Sequence, residues 1–324
     1  MDNAKINAIV EAVIQQLIAA GAISTSGPDV KTVQESQRAG HTIATGTSTS
    51  EHLSARTGRN AAQPVNFDLP DPNDDAYRYR PGVKNPIDPA ALPELIKSTS
   101  ARIGVGRAGP RYRTPSLLLF QADHAITQDA LHRDIDPKLL EELGLFSVQT
   151  RITGGKEQYL LRPDLGRQLS DEAKKVIAER CVKSPNIQLV VGDGLSAAAI
   201  EANLRQIFPV MVQGFQLAGL SIGTPFYVKY CRVGVMNDIG EAIKPDVVIL
   251  LIGERPGLGR AESMSAYMGY KPQAGDNDAD RDVVCNIYEK NGTNPLEAGA
   301  FIVQLAQKML KYQASGVKLK LATK

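Results

Sequence analysis

The stretch VVILLIGERPGLGRAES, residues 247–263, decides how the chain is expected to fold. Its first six residues, 247–252, are all apolar, which is typical of a strand buried on both faces of a parallel sheet. A glycine follows, and then come Glu254, Arg255 and a Pro-Gly-Leu-Gly turn at 256–259. Ligands of open parallel sheets bind beyond the carboxyl ends of the strands. We therefore expect Glu254 and Arg255 at such an edge, where the glycines leave backbone amides accessible.

Three other segments extend this pattern. The segment IQLVVGDGLS, residues 187–196, is an apolar strand followed by Asp193 between two glycines. Asp193 either binds a ligand or caps a tight turn, and both interpretations remain open. Strands are also predicted over PFYVKYCRVGV, residues 225–235, and over DVVCNIY, residues 282–288. Apolar strands that alternate with helices predict an α/β fold, with a parallel sheet covered by helices on both faces.

Helix boundaries are indicated by capping residues and prolines. Ser170 and Ser196 precede helical segments and are expected to cap them. Pro295 is expected at the first position of a closing helix, whereas Pro209 is expected to kink or break the helix that Ser196 begins. Two earlier helices are predicted at about 92–100 and 114–124.

The N-terminal part differs in composition from the rest. Residues 1–21 predict one amphipathic helix, and residues 22–84, rich in Ser, Thr, Gly, Asn, Asp and Pro, predict a flexible linker. The globular body then spans 85–324, with a small helical part at 85–150. The apolar stripe of the first helix consists of Ile6, Ile9, Val10, Val13, Ile14, Leu17 and Ile18.

Composition excludes several classes of protein. The chain has 324 residues, a formal net charge of +2 and no tryptophan, so nucleic acid and acidic membranes are not expected partners. No apolar run is long enough to span a membrane, and no secretory signal is recognised. Three widely spaced cysteines suit the cytosol. Neither C-x-x-C nor H-E-x-x-H occurs, so no metal site is predicted, and His124 and His132 are expected on the surface.

A glycine motif suggests one alternative function. Gly104, Gly106 and Gly109 form G-x-G-x-x-G, which in a nicotinamide-dependent oxidoreductase lies between a strand and a helix. Here the stretch before Gly104 is short and charged, which does not favour the required strand. Pro110 directly follows the motif, where the helix should begin. The loop instead concentrates four arginines, which suit an anion, an acidic partner surface or plain solvation. Those arginines are Arg102, Arg107, Arg111 and Arg113.

Six blocks together resemble the small subunit of ethanolamine ammonia-lyase. The blocks occur in order from about residue 85 to the C-terminus, whereas the N-terminal helix and linker are outside the resemblance. They are RIGVGRAGPRYRT, LLRPDLGR, VVGDGLS, GTPFYVKYCRV, ILLIGERPGLGRAESMSAYMGY and NPLEAGAFIVQLAQKMLKYQASG.

The resemblance implies a subunit of an adenosylcobalamin-dependent lyase that converts ethanolamine to acetaldehyde and ammonia by radical chemistry. It implies that the large subunit holds the substrate, so that this chain is active only with that partner and carries no catalytic residue. It also implies a Rossmann-like sheet that holds the corrinoid against the large subunit. A flat corrin ring edged with amides would suit the sheet edge described above.

The resemblance also carries cofactor-binding residues onto this chain. Family positions that bind the corrinoid fall on Val233 and Glu254. A third family position, often cysteine, falls on Val283 if one gap is allowed, while Cys285 lies two residues later, so both are candidates. From their position beside the strand ends, Asp193, Arg255 and Gly257 complete the predicted site.

The N-terminal helix suggests a separate hypothesis. An amphipathic helix on a tether can dock into a groove of another protein. In a bacterium that uses ethanolamine, residues 1–21 would suit attachment to the shell of a microcompartment in the cytoplasm. The alternatives are that this helix packs on its own enzyme complex or on another copy of itself, or that the chain is a non-enzymatic recruiting module.

Overall fold

The structure is a computed structural model that describes residue 76 and residues 79–99, 101–258, 260–289 and 292–323. The predicted helix at 1–21 and most of the predicted linker at 22–84 lie outside these residues. The described end of the linker segment contacts the body, because the Gly82 N–H donates a 2.8 Å hydrogen bond to the Gly104 carbonyl.

Eight strands and nine α-helices occur within the described ranges. The strands are Arg107–Ala108 (β1), Arg111–Tyr112 (β2), Phe146–Gln149 (β3), Ile187–Gly192 (β4), Phe226–Lys229 (β5), Val247–Gly253 (β6), Met264–Tyr270 (β7) and Arg281–Ile287 (β8). The helices are Ala91–Lys97 (α1), Thr114–His132 (α2), Pro137–Glu142 (α3), Gly155–Leu161 (α4), Asp171–Arg180 (α5), Ala197–Leu217 (α6), Val235–Ile243 (α7), Pro295–Tyr312 (α8) and Gly316–Ala322 (α9).

Six strands form one mixed sheet in the order β3-β5-β4-β6-β7-β8. The first four strands are parallel, as predicted for β4, β5 and β6, whereas β3 and β7 were not predicted as strands. β7 pairs antiparallel with β6, and β8, which was predicted as part of a parallel sheet, pairs antiparallel with β7. The difference follows from the connections: a short loop that joins β6 to β7 can only reverse the chain, since a parallel return needs a long crossover. β1 and β2 form a separate two-stranded hairpin.

The central strands β4 and β6 are buried on both faces, and every residue of each is buried. Successive side chains of a strand point to opposite faces of the sheet, so the side chains of β4 and β6 contribute to two cores, one on each face. Helices α6 and α8 cover one core and α5 and α7 the other. The expected α/β fold with helices on both faces is therefore confirmed.

Local capping predictions are also confirmed. The Ser170 hydroxyl accepts a hydrogen bond from the Ala173 N–H, and the Ser196 hydroxyl accepts one from the Ala199 N–H. Pro295 occupies the first position of α8.

Three sequence predictions of the elements differ from the structure. Helix α6 is not broken at Pro209 but runs on to Leu217, because apolar residues on either side of Pro209 are buried in the core and offset the lost backbone bond. Helix α2 runs eight residues beyond the predicted end at 124, to His132. The predicted strand within 225–235 ends at Lys229, because the next residue, Tyr230, has a positive φ of 57°.

The close approach of the β4–α6 turn to the end of β6 generates a stability prediction. Gly194 has φ +56°, and a Cβ there would lie 2.2 Å from the Gly253 carbonyl oxygen. Gly144 has a similar φ of +66° with nothing within 4 Å of a Cβ. Gly144→Ala should therefore lose about 1–2 kcal/mol of unfolding free energy from backbone strain alone. Gly194→Ala should lose about 1–3 kcal/mol more from overpacking.

Urea unfolding of the two alanine variants, followed by circular dichroism, measures this difference. Equal losses for Gly144→Ala and Gly194→Ala would show that the turn and the end of β6 have room to separate.

Candidate functional site

The candidate site lies where the carboxyl ends of β5, β4 and β6 come together as neighbours. β4 lies between the other two strands and is followed by Asp193. β5 is followed by the turn 230–233, and β6 by Glu254 and Arg255. The predicted site residues after the parallel strands are thus brought to one edge of the sheet.

Asp193 is fully buried and holds the turn after β5. Its carboxylate accepts hydrogen bonds from the backbone N–H groups of Tyr230, at 2.9 Å, and Cys231, at 2.8 Å. The Lys156 ammonium lies 3.6 Å from the same carboxylate. Burial raises the pKa of Asp193, while Lys156 and the backbone donors oppose that shift. Asp193 does not cap α6, because Ser196 does.

The turn 230–233 is fixed from several sides. The Tyr159 hydroxyl donates a 2.6 Å hydrogen bond to the Cys231 carbonyl, and the Thr150 hydroxyl donates a 3.0 Å bond to the Tyr230 carbonyl. The Arg232 guanidinium lies over the Tyr159 ring at 4.4 Å from its centroid. These contacts set the position of Val233, which is partly exposed and lies two residues before the start of α7.

Glu254 is oriented by the neighbouring strand β7. Its backbone N–H donates to the Ser263 carbonyl at 3.1 Å, and its Oε1 accepts a 3.3 Å hydrogen bond from the Tyr267 hydroxyl. Burial, and next the charge of Glu254, raise the pKa of Tyr267 to about 12. Tyr267 therefore remains a neutral donor at physiological pH, and it holds a partly exposed carboxylate at the sheet edge.

Glu254 faces an open groove of about 460 Å³ beside β8. Arg255, Gly257 and Cys285 line the same groove. A Cβ at Gly257 would meet nothing within 4 Å, so the backbone there is open to a large ligand. The groove thus brings together four of the predicted site residues and offers carboxylate, guanidinium and bare backbone groups.

The loop that carries Gly257 is anchored by α6. The Ser196 hydroxyl donates a 2.5 Å hydrogen bond to the Ala261 carbonyl, and the Asn203 amide donates a 2.8 Å bond to the Glu262 carbonyl. The same hydroxyl caps α6, so one serine fixes both the helix start and this loop.

The two candidates for the third corrinoid contact lie on the edge strand β8. Val283 pairs with Tyr267 across the β7–β8 ladder and is 48% exposed. Cys285 is an exposed free thiol in the groove with Glu254. Two of the predicted residues, Val233 and Val283, do not line that groove, and Asp193 lies beneath the surface.

Sequence analysis missed Tyr267, Lys156 and Tyr159. The segment MSAYMGY forms β7, and its apolar character next to β6 could have indicated a strand that places Tyr267 beside Glu254. No local pattern could have indicated Lys156 or Tyr159, since their contacts with Asp193 and Cys231 join residues that are far apart in the chain.

The glycine motif Gly104-x-Gly106-x-x-Gly109 does not have the geometry of a dinucleotide site. The described residues directly before it, 101–103, form no strand, and the motif leads into the β1–β2 hairpin rather than into a helix. The hypothesis of a nicotinamide-dependent oxidoreductase therefore loses the structural context that it requires.

Three further observations concern the histidines, metal ligands and long helices of the described residues. His124 and His132 lie exposed on α2. Within the ranges that the structure describes, no three His, Cys, Asp or Glu side chains cluster as metal ligands would. No helix in the same ranges is both long and apolar enough to cross a membrane.

Comparison with known proteins shows the family to which this chain belongs. The family model for the ethanolamine ammonia-lyase light chain matches residues 89–320. The chain is also 49% identical, over 238 residues, to the ethanolamine ammonia-lyase small subunit of Clostridium perfringens. That match covers 74% of this chain and 80% of the relative. The chain therefore belongs to the family of ethanolamine ammonia-lyase light chains, also called small subunits.

The contact between Tyr267 and Glu254 generates a pH prediction. The Tyr267 pKa of about 12 exceeds the value of 10 for an ordinary tyrosine, so the neutral phenol is favoured by folding. That contribution is present below about pH 10 and is lost as the pH rises through about 12. Tyr267→Phe should cost about 1 kcal/mol near neutral pH and should reduce the fall in stability above about pH 10.

Unfolding in urea at several pH values measures this effect, with Tyr312→Phe on α8 as the matched control. If Tyr267→Phe and Tyr312→Phe show the same dependence on alkaline pH, burial and the contact with Glu254 do not raise the pKa of Tyr267.

Proposed function

We propose that this chain holds adenosylcobalamin against the large subunit of ethanolamine ammonia-lyase. The observation that carries the proposal is the open groove at the carboxyl edge of the sheet, in which Tyr267 orients Glu254 beside the bare backbone of Gly257. Family membership supports the reaction, the deamination of ethanolamine to acetaldehyde. The large subunit supplies the substrate pocket, so this chain is active only in the complex.

The residues around the groove fit a corrinoid. The ring is flat and edged with amide side chains, which need hydrogen-bond acceptors and donors at its rim. The Glu254 carboxylate accepts from amide N–H groups, and the exposed Arg255 guanidinium donates to amide oxygens. The open space beside Gly257 admits a bulky ligand. A groove that is open on one side suits a ligand shared between two subunits.

The predicted contacts divide into three groups. Glu254, Arg255, Gly257 and Cys285 line the groove and are proposed to contact the cofactor directly, whereas Val233 and Val283 are proposed contacts that lie outside the groove. Asp193 acts through the backbone, because its carboxylate is fully buried and holds the turn that presents Val233.

When bound, the cofactor would supply the radical chemistry of the reaction. The residues of this chain bind and orient that group and exclude water from one side of it. No residue of this chain is assigned a proton-transfer role.

Substitution of Glu254 tests the site. In the purified complex, Glu254→Ala should weaken cobalamin binding by about 1–3 kcal/mol, because an amide of the ligand loses its charged acceptor. The matched control is Glu179→Ala, because Glu179 is an exposed glutamate on α5. Isothermal titration calorimetry of the complex with cobalamin measures the difference.

Unchanged cobalamin affinity in Glu254→Ala would place the ligand elsewhere. Titration of the unmodified complex with NAD tests the oxidoreductase alternative. Tight binding of NAD without binding of cobalamin would contradict the whole proposal.

A location in the cytoplasm within a bacterial microcompartment is proposed from the sequence of residues 1–21, which lie outside the described residues. Replacing Val13 and Leu17 with aspartate should release the enzyme from the shell, because both lie on the predicted apolar stripe. The control replaces Glu11 and Gln15, off the stripe, with serine. Fluorescence microscopy of the tagged chain measures the location. Unchanged encapsulation of the aspartate variant would contradict the proposal that residues 1–21 attach the enzyme to the shell.

A further inference from the structure

Helix α2 leaves most of its surface without a partner in the described structure. Of its nineteen residues, only Asp123 and Ala130 are buried. Leu117 is 45% exposed and Leu118 is 58% exposed on adjacent positions of its first turns. Large apolar side chains that remain exposed together mark a surface that another molecule covers.

The residues that lead into α2 add positive charge to this apolar surface. Residues 101–122 contain four arginines and no acidic residue. The next acid, Asp123, is buried and pairs with Arg102. On the β1–β2 hairpin, the Arg107 guanidinium donates to the Tyr112 hydroxyl at 3.1 Å, which holds the hairpin in shape, while Arg111 is exposed.

We define the α2 surface by its exposed apolar and basic residues on the hairpin, the loop before it and the start of the helix. Its apolar members are exposed by 40% to 58%. The members are Ile103, Arg107, Arg111, Tyr112, Leu117 and Leu118.

The α2 surface is continuous with the groove at the sheet edge. The Thr127 hydroxyl of α2 donates a 2.9 Å hydrogen bond to the Gly257 carbonyl. Ile103 and Leu258 line a cavity of about 190 Å³ with Gly257 and Arg260, and the last two residues also line the groove. A molecule that closes the groove therefore meets the α2 surface next to it.

We infer that the α2 surface docks on an acidic, partly apolar patch of the large subunit. This inference rests on the proposed function, which requires the large subunit to close the groove. Exposed leucines argue against nucleic acid as the occupant, because a phosphate backbone offers them no apolar contact. The four arginines of residues 101–122 outnumber the acid that pairs with them, Asp123, so we expect an acidic partner surface, since complementary charge speeds and orients association.

Two substitutions in the full-length chain test the α2 surface, one of its positive charge and one of its apolar contact. Arg111→Glu should slow association with the purified large subunit about tenfold at low salt and should remove much of its salt dependence. Leu118→Asp should weaken the complex by at least about tenfold, because an apolar contact is replaced by a buried charge. Matched controls are Lys175→Glu on α5 and Leu217→Asp at the end of α6, both exposed.

Surface plasmon resonance with immobilised large subunit measures these rates, and melting temperatures confirm that each variant is folded. If the unmodified chain binds and all variants bind equally, the docking inference fails and the proposed function stands. If the unmodified chain does not bind the large subunit at all, both fail.

Hydroxyl-radical footprinting of side chains in the full-length chain separates other occupants from the large subunit. Oxidation of Leu117 and Leu118 that falls when the large subunit is added supports the inference. Oxidation of the same leucines that is already absent in the isolated chain would overturn it, because a second copy or the chain's own N-terminal residues would then cover α2.

Discussion

The burial of one carboxylate, that of Asp193, is the interaction on which the candidate site depends. A buried charge is costly unless it is paired and hydrogen-bonded. Here both oxygens accept backbone N–H groups of the turn after β5, and Lys156 supplies the opposite charge. The turn cannot relax without leaving this carboxylate unsatisfied, so the ends of β4 and β5 act as one unit.

The end of β6 packs closely against the joined ends of β4 and β5. Gly194 and Gly253 approach so closely that a Cβ on either would overlap backbone of the other turn. The loop beyond Glu254 is then fixed by the Ser196 hydroxyl, and Glu254 itself by Tyr267. Arg255, at the outer end of this series of contacts, remains exposed and available to a ligand, as does part of Glu254.

Features of the fold that depend on residues close together in the chain could be predicted from the sequence, whereas features that depend on distant residues could not. The apolar runs of β4 and β6 require burial on both faces, and the caps at Ser170 and Ser196 depend on residues within one turn, so these were predicted correctly. The direction of β7 and the end of β5 depend on partners in other segments. The buried state of Asp193 could not be foreseen, because Lys156 and Tyr230 are distant in sequence.

The order of the strands has a consequence for how the groove is assembled. β6, β7 and β8 follow one another in the chain and pair as an antiparallel meander, and their segment contains Glu254, Arg255, Gly257 and Cys285. Pairing of adjacent strands closes shorter loops than the helical crossovers of β3, β4 and β5, and it therefore costs less chain entropy. One wall of the groove is thus encoded in a contiguous segment that can form with few long-range contacts.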